Sequence, residues 1–393
     1  MRAGRSKRGG NGLDLGYCNR LLYAAFHCPP ETGQASRAGG AKRRKQKGAR
    51  GMATLRDVAR EAGVSVATAS RAINGLGNVT APTRAAVMAA VKKLNFVPHS
   101  GARSLTRRRT DTVGVILPDL FGEFFSEIIR GIDLVAHESG MHLLLGNMHG
   151  STHETAAAIA AMRGRVDGLL VMPPDLKPEL LADYLDPALP TVLLNYDAGP
   201  LDLPFVAVDN YQGAYRMTEA LLARGAKQVV HIAGPKHNRD ARDRQRGFTD
   251  AMAKIGGVRT PAILPGDFSE ESGAQAARLL VQGQLPADAV FAANDQMAVG
   301  LIAGLAEAGK SVPSDIMVAG FDDIPLARHL NPSLSTMQVH IDRLGSTAMM
   351  LLLRMLRGET LGAANATILT PELVIRGTTG GETAPVPSSG ARP

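Results

Sequence analysis

Residues 54–74 read TLRDVAREAGVSVATASRAIN, and residues 98–109 read PHSGARSLTRRR. Thr54 is a good N-cap, with Asp57 three positions on in the S/T-x-x-D/E capping arrangement. Leu55, Val58, Ala59 and Ala62 then fall on one helical face. Gly63 ends that helix and permits a tight turn. Ser65 caps a second helix from Val66 to Ile73, whose inward face is Ala69, Ala72 and Ile73. Its other face presents Val66, Ala67, Thr68, Ser70, Arg71 and Asn74. A third helix is expected after Thr80, with Pro82 in its first turn. It runs to about Leu94, with Val87, Val91 and Leu94 inward. Two short helices across a tight turn, a third helix and a basic tail are the arrangement that carries one helix into the major groove of DNA.

The charge divides in the same way. Of 44 Lys+Arg and 36 Asp+Glu, residues 1–51 hold 12 and 2, and residues 52–109 hold 10 and 2, leaving 22 and 32 beyond. The net charges are therefore +10, +8 and −10. A basic N-terminal unit on an acidic body is the footprint of a nucleic-acid binder whose body stays off the DNA. With 393 residues, 45% of them hydrophobic, the chain has material for two or three domains. No apolar run approaches the length of a transmembrane helix, so no membrane partner is expected. Both cysteines, Cys18 and Cys28, precede Met52. The folded part therefore has no disulfide framework, which fits a reducing cytosol and a cytoplasmic location.

Residues 1–51 are Gly/Arg/Lys-rich without sustained period and are read as a disordered basic leader. Met-Ala-Thr-Leu at 52–55 opens directly onto a capped helix, which favours Met52 as the natural start. A polybasic arm gripping phosphates is the other reading. The Pro/Gly/Ser-rich end, residues 379–393, is read as a disordered tail. It lacks the leucine heptads of a tetramerising bundle, so a homodimer is expected.

From Thr112 short β-branched runs alternate with helical stretches. Strands are expected at 113–117, 142–146, 167–172, 191–195, 205–209, 228–234, 289–294 and 316–322, and helices at 124–139, 211–224, 245–255, 296–308 and 341–356. Apolar strands joined by helices imply parallel sheets covered on both faces. Two such sheets joined by crossovers make a cleft, with ligands at the carboxyl ends of the strands. Polar residues stand at those ends. Asp119 and Phe124 follow the first strand, Asn195 ends the fourth, Arg244 lies in DRQRGF, Phe268 follows Asp267, Asn294 ends AVFAAN and Asp322 closes AGFD. These seven are the candidate effector contacts: an Arg, carboxylates and Asn amides for hydroxyls or a carboxylate, and two Phe rings for stacking. Asp and Asn at strand ends also cap the following helix.

The segment Thr54–Leu105 resembles the DNA-binding head of the lactose-repressor family of bacterial transcription regulators almost without gaps. It carries T-L-x-D-V-A-x-x-A-G-V-S-x-x-T-x-S-R-x-x-N, then V-T-x-x-T-R, then L-N-F-x-P-x-x-x-A-R-S-L. The resemblance implies that Val66, Ala67 and Arg71 face base edges, and that Thr54, Ser65, Thr68, Ser70, Asn74 and Thr83 hold phosphates. It also implies a hinge over 99–111, folded on DNA, in which Ala102 and Arg103 pack against the partner and the groove. Leu105 is then the wedge that unstacks a base step. Arg107–Arg109 are either a phosphate clamp or a solvated linker. At lower identity the resemblance continues into the body, implying an effector-binding unit similar to periplasmic sugar-binding proteins.

Residues 304–311, GLAEAGKS, match G-x-x-x-x-G-K-S literally. A phosphate loop needs a strand before it and a flexible loop within it. Here strong helix formers fill the loop, so Gly309 is read as a helix C-cap instead. No H-E-x-x-H, G-x-S-x-G or Cys/His cluster stands in the body. No catalytic set, metal or cofactor is expected, and the chain is not read as an enzyme.

The expected fold is α/β: an all-α helix-turn-helix head over 52–98 and a periplasmic-binding-protein-like body over 112–378 of two doubly wound parallel-sheet subdomains. The expected function is a sequence-specific transcriptional regulator, a repressor of carbohydrate-utilisation genes, that binds a near-palindromic double-stranded operator as a homodimer. A sugar or sugar derivative between the body subdomains controls it. A transport-type sugar-binding protein is the competing reading. It would need an export signal and no DNA head.

Overall fold

The computed structural model describes residues 53–75, 77–97, 109–149, 151–174, 176–196, 199–258 and 260–381. The leader, the hinge positions Ala102, Arg103 and Leu105, the pair Arg107 and Arg108, and the chain beyond 381 lie outside the described residues. Two compact units form, one ending at Val97 and the other beginning at Pro98.

The first unit is three helices: α1 (Leu55–Glu61), α2 (Val66–Ile73) and α3 (Ala81–Lys93). The capping box closes as the sequence predicts. Asp57 N–H donates to Thr54 Oγ1 at 3.3 Å and Thr54 N–H to Asp57 Oδ2 at 3.0 Å. Gly63 makes the turn at φ +67°, a conformation that a side chain disfavours. Val58, Ala59, Ala69, Ala72, Val87, Ala90 and Phe96 form the buried core. Phe96, two residues beyond Leu94, the last expected inward position of α3, joins that core.

The second unit holds two parallel sheets. The first has strands β1 (Thr112–Leu117), β2 (His142–Asn147), β3 (Gly168–Val171), β4 (Thr191–Leu194), β5 (Phe205–Val208) and, later in the chain, β11 (Ala366–Leu369). Their spatial order is β11-β5-β4-β3-β1-β2. The second sheet has β6 (Val229–Ile232), β7 (Ala262–Leu264), β8 (Ala289–Ala292) and β9 (Met317–Ala319), in the order β7-β6-β8-β9. Between strands run α4 (Glu123–Glu138), α5 (Thr152–Met162), α6 (Pro178–Tyr184), α7 (Asn210–Ala223), α8 (Arg239–Lys254), α9 (Glu270–Val281) and α10 (Asp295–Glu307). β1, β3, β4, β6 and β8 are almost wholly buried, as parallel strands with helices on both faces must be.

The chain passes between the subdomains three times. It leaves the first sheet after β5 into α7, which packs on α8. It returns after β10 (Thr336–Gln338) into α11 (Ile341–Leu356), which packs on α4 and against β3, β4 and β5. It crosses again between β11 and β12 (Glu372–Val374), and β12 pairs antiparallel with β10. Folded structure then continues to the 3-10 turn Gly377–Thr379, whose Thr378 and Thr379 are buried.

Every expected strand forms, but four stop short of their polar ends: Asn195 and Asp209 fall one residue past β4 and β5, Asn294 two past β8 and Asp322 three past β9. β7, β10, β11 and β12 were not foreseen, because each is only three or four residues long and too short to show a period. α8 starts at Arg239 rather than 245, because Asn238 Oδ1 caps it by accepting from Ala241 N–H at 2.9 Å. Residues 304–307 of the phosphate-loop lookalike belong to α10. Gly309 ends that helix at φ +72°, and Lys310 N–H bonds Leu305 O at 2.9 Å.

Candidate functional site

Helix α2 buries Ala69 and Ala72 and turns Ser65, Val66, Ala67 and Arg71 outward, with Thr68, Ser70 and Asn74 half-buried beside them. Val66 is 43% exposed, an apolar side chain held in solvent at the helix N-terminus. Ser65 Oγ accepts from Thr68 N–H at 3.1 Å and lies 2.8 Å from Thr68 Oγ1. Asn74 Nδ2 donates to Ser70 Oγ at 3.4 Å, and Thr83 Oγ1 lies 2.9 Å from Thr80 Oγ1. The hydroxyls of Thr54 and Ser65 are thus in use as caps. The positive N-terminal ends of α1 and α2 remain suited to a phosphate. Lys93 pairs with Glu61 at 2.6 Å, tying α3 to α1. Arg71 is exposed, and its guanidinium is the one long donor on the α2 face.

From Arg109 onward the chain entering the second unit is held to it by side-chain and backbone hydrogen bonds. Arg109 Nη2 donates to Leu356 O at 2.7 Å. The Asp167 carboxylate accepts Thr110 N–H at 2.7 Å, Thr110 Oγ1 at 2.8 Å and Asp111 N–H at 2.9 Å. Sequence reading gave Arg109 to a phosphate clamp or a solvated linker and passed over Asp167. Nothing in the spacing links position 167 to position 110.

In the cleft of the second unit, Arg244 is the centre. Its Nε donates to Asn210 Oδ1 at 2.8 Å and its Nη1 to Ala293 O at 2.5 Å. Its Nη2 stands 3.1 Å from Asp322 Oδ1. Its plane lies 3.8 Å from the Phe321 ring centroid. Side-chain exposure is 4% for Arg244 and 6% for Asp322, so the pair is desolvated. One turn earlier on α8, Asp240 accepts from Asn210 Nδ2 at 2.9 Å and from Asn195 Nδ2 at 3.0 Å. Asn195 follows β4 of the first sheet and Asp240 lies in the first turn of α8 beside the second, so this bond spans the two subdomains. Asn294 Oδ1 caps α10 by accepting from Met297 N–H at 3.0 Å, and its Nδ2 donates to Phe268 O at 3.1 Å.

Arg244, Asp322 and Asn195 therefore join one network through Asn210 and Asp240, and Asn294 and Phe268 form a second bonded pair next to Ala293, whose carbonyl Arg244 holds. Asp119 and Phe124 sit apart from it, beyond the end of β1. Asp119 is exposed and accepts from its own neighbours Leu120 and Phe121 at 2.7 and 3.2 Å. Phe124 is half-buried, edge-to-face with Phe125 at 5.4 Å. Asn195, Phe268, Asp322 and Asp323 all have positive φ, from +46° to +116°. Such strained non-glycine backbone gathers at functional sites.

The electrostatics follow from burial. Asp240 and Asp322 are each pushed up to about 6, first by loss of solvent, while the Arg244 charge pulls both back down. One edge of Asp240 still reaches solvent, although protein encloses most of its carboxyl. Asp295 is held well above the usual carboxylate range by burial and by the Asp322 charge. It accepts from Thr336 Oγ1 at 2.5 Å and from Ile324 N–H at 2.9 Å, and so props the AGFD loop from behind. Beside it, Asp323 pairs with Arg376 at 2.8 Å. Asp240, Asn210, Asp295 and Phe321 were missed in the sequence. The spacing of Asp240 and Arg244, four residues apart on one helix face, was the only available signal.

Comparison with known proteins agrees with both halves. Residues 54–99 match the family model described as "Bacterial regulatory proteins, lacI family", and residues 218–379 match "Periplasmic binding protein-like domain". The HTH-type transcriptional repressor CytR of Escherichia coli (strain K12) is 34% identical over 329 residues, 83% of this chain and 96% of that protein. The HTH-type transcriptional repressor PurR of Proteus mirabilis (strain HI4320) is 38% identical over 310 residues, 77% of this chain and 90% of that one. The lac repressor dimer bound to operator and the anti-inducer ONPF superposes with a TM-score of 0.74 at 28% identity, covering 83% of this chain and 99% of that one. No helix among the described residues is long and apolar enough to cross a membrane. By these relatives and this architecture, the chain belongs to the LacI family of bacterial transcription regulators, which are DNA-binding proteins and not enzymes.

Proposed function

We propose that the protein is a dimeric cytoplasmic repressor of carbohydrate-utilisation genes, released from or fixed to its operator by a sugar or sugar derivative bound between the body subdomains. Two heads read half-sites of a near-palindromic operator. Val66, Ala67 and Arg71 face bases, and Thr54, Ser65, Thr68, Ser70, Asn74 and Thr83 face phosphates. The segment with Ala102, Arg103 and Leu105 enters the minor groove, where Leu105 opens a base step. Asp119, Phe124, Asn195, Arg244, Phe268, Asn294 and Asp322 surround the effector.

The observation that carries this reading is the Asn195–Asp240 bond, backed by the buried Arg244–Asp322 pair. A ligand seated there touches both subdomains at once, so its binding energy differs between open and closed cleft. That difference is what shifts a two-state equilibrium. The Asp167 and Arg109 contacts then tie the linker to the same body. Coupling of about 1–3 kcal/mol between effector and operator is typical and is reciprocal.

The test selects operators from a random duplex pool in moderate salt, then measures operator affinity with each member of a sugar and sugar-acid panel. Selection of one two-fold-related sequence, with affinity shifted by a panel member, is expected. Enrichment of no sequence would overturn the reading. Leu105→Ala is expected to reduce operator bending, and an unchanged bend would remove its wedge role.

A further inference from the structure

We infer that the cleft takes up a proton on Asp240 as it closes, so that mild acid favours the closed body and alkali the open one. This rests on the reading that the two body subdomains open and close, and adds proton-linked regulation to that movement.

Asn210 joins three charged side chains, Asp240, Arg244 and, through Arg244, Asp322, and only one of the three is a cation. Arg244 turns Nη2 to Asp322 Oδ1 at 3.1 Å and gives Nε and Nη1 to Asn210 Oδ1 and Ala293 O. Asp240 receives no hydrogen bond from it. Both donors to Asp240 are neutral amides, Asn210 Nδ2 at 2.9 Å and Asn195 Nδ2 at 3.0 Å. Two further cations on α8, Arg239 and Arg246, stand 3.9 and 3.1 Å from Asp243. The buried set therefore holds two carboxylates against one guanidinium. A carboxylate enclosed without a cation of its own relieves the cost of lost solvent by binding a proton.

Cleft opening changes that cost. Asn195 belongs to the first subdomain and Asp240 to the second, so opening breaks their bond and brings water to a carboxyl whose edge already reaches solvent. In the bridged structure loss of solvent pushes Asp240 from 3.8 up to about 6, against the pull of Arg244 and Arg239 and with a push from Asp243. Opening restores solvent and returns the group toward 3.8. A group that binds its proton more tightly in the closed body favours that body as pH falls. The effect is complete below about pH 3.8 and is lost as pH climbs through about 6. Asn195 Oδ1 adds a second reason, since it is buried and accepts no hydrogen bond. A protonated Asp240 brings an O–H to the same contact, a donor that the carboxylate lacks. The other titratable groups nearby do not bridge the cleft. Asp322 is bonded to Arg244 within the second subdomain, and His340 pairs with Glu372 at 3.2 Å between the crossover segments themselves.

The experiment reads the separation of the subdomains by fluorescence energy transfer in the full chain. Dyes are attached through Ala157→Cys on α5 and Gln275→Cys on α9, both exposed positions, in a Cys18→Ser, Cys28→Ser background. Excess unlabelled chain ensures that one protomer of a dimer is read. The closed-to-open ratio is expected to rise about tenfold from about pH 7.5 to about pH 5, a factor of ten for the one unit below about 6. Asp240→Asn keeps the shape without the charge and is expected to show no pH response. Asp322→Asn leaves the Arg244 charge to Asp240 alone and is expected to move the response to lower pH, a readout that does not depend on Asp240→Asn folding. His340→Gln is expected to respond as the wild type does. A separation independent of pH would overturn the inference, as would a response that survives Asp240→Asn or vanishes with Asp322→Asn or His340→Gln. If a pH-independent cleft is still closed by a member of the sugar panel, the reading of the cleft stands without the proton. If no sugar and no pH moves it, that reading falls as well.

Discussion

The head and the cleft solve recognition in opposite ways. On α2 the side chains we propose to read DNA stand in solvent, and the fold asks only that Ala69 and Ala72 point inward. In the cleft the charged groups are buried, and each is held by several others: Arg244 alone engages Asn210, Ala293, Asp322 and Phe321. DNA is large and supplies the surrounding surface itself, so an exposed helix face suffices. A small effector has little surface, so the protein must supply an enclosed and pre-paired site. One consequence is that the two sites should respond differently to substitution: the head should lose function without stability, and the cleft should lose both.

The largest expected effect tests that contrast directly. Arg244→Leu strands the Asp322 charge and is expected to cost about 3–5 kcal/mol of stability by urea unfolding, the usual price of breaking a buried ion pair. A loss under about 1 kcal/mol would show that the pair is solvated in practice. Next, Arg71→Ala is expected to cost about 1–3 kcal/mol in operator binding. Its folding stability should stay within about 0.5 kcal/mol of wild type. Equal losses on operator and random duplex would assign Arg71 to backbone contact only.

A pH series sharpens the comparison within the cleft. The Asp240 carboxyl rises from 3.8 to about 6 on folding. A raised acid stabilises the fold when protonated, so its contribution is complete below about pH 3.8 and is lost as pH climbs through about 6. His231 runs the other way. Burial between Phe248 and Phe291 lowers it from 6.5 to about 4, so its contribution is present above about pH 6.5 and is lost as pH falls through about 4. Asp240→Asn removes only the first. The stability of the variant relative to wild type is expected to grow by about 1–2 kcal/mol from about pH 4 to about pH 7, a figure reduced because Asp240 is partly solvated. A flat difference would mean that Asp240 titrates as a free carboxylate.

The smallest effect concerns the linker. Asp167→Asn keeps the shape but weakens three bonds to Thr110 and Asp111, and about 1 kcal/mol of stability is expected to go. Operator affinity should fall with effector affinity unchanged. If both stay at wild-type values, the clamp has no part in positioning the hinge.

The head was almost wholly legible because its determinants are local. Caps, turn glycine and inward positions lie within one or two turns of each other, and the Thr54–Asp57 box formed as spaced. The alternation of strand and helix in the body was equally plain, since buried parallel strands are continuous apolar runs. Of the seven candidate cleft residues, Asn195, Asn294 and Asp322 were found as polar ends of such runs, Asp119 and Phe124 as residues that follow one, Arg244 in DRQRGF and Phe268 after Asp267. Arg244, Asp322 and Asn195 converge through shared bonds and Asn294 pairs with Phe268, while Asp119 and Phe124 make no bond to the other five.

What the chain alone determined is therefore its elements, their α/β class and a DNA-reading helix, because hydrophobic period and capping act over a few residues. Only tertiary structure decided that Asp240 meets Asn195 across 45 positions and that Asp167 grips Thr110 across 57. Tertiary structure alone also decided that Arg244 is spent on internal partners. Those properties depend on which groups lose water together, and burial is shared by distant segments that no local spacing can bring into register.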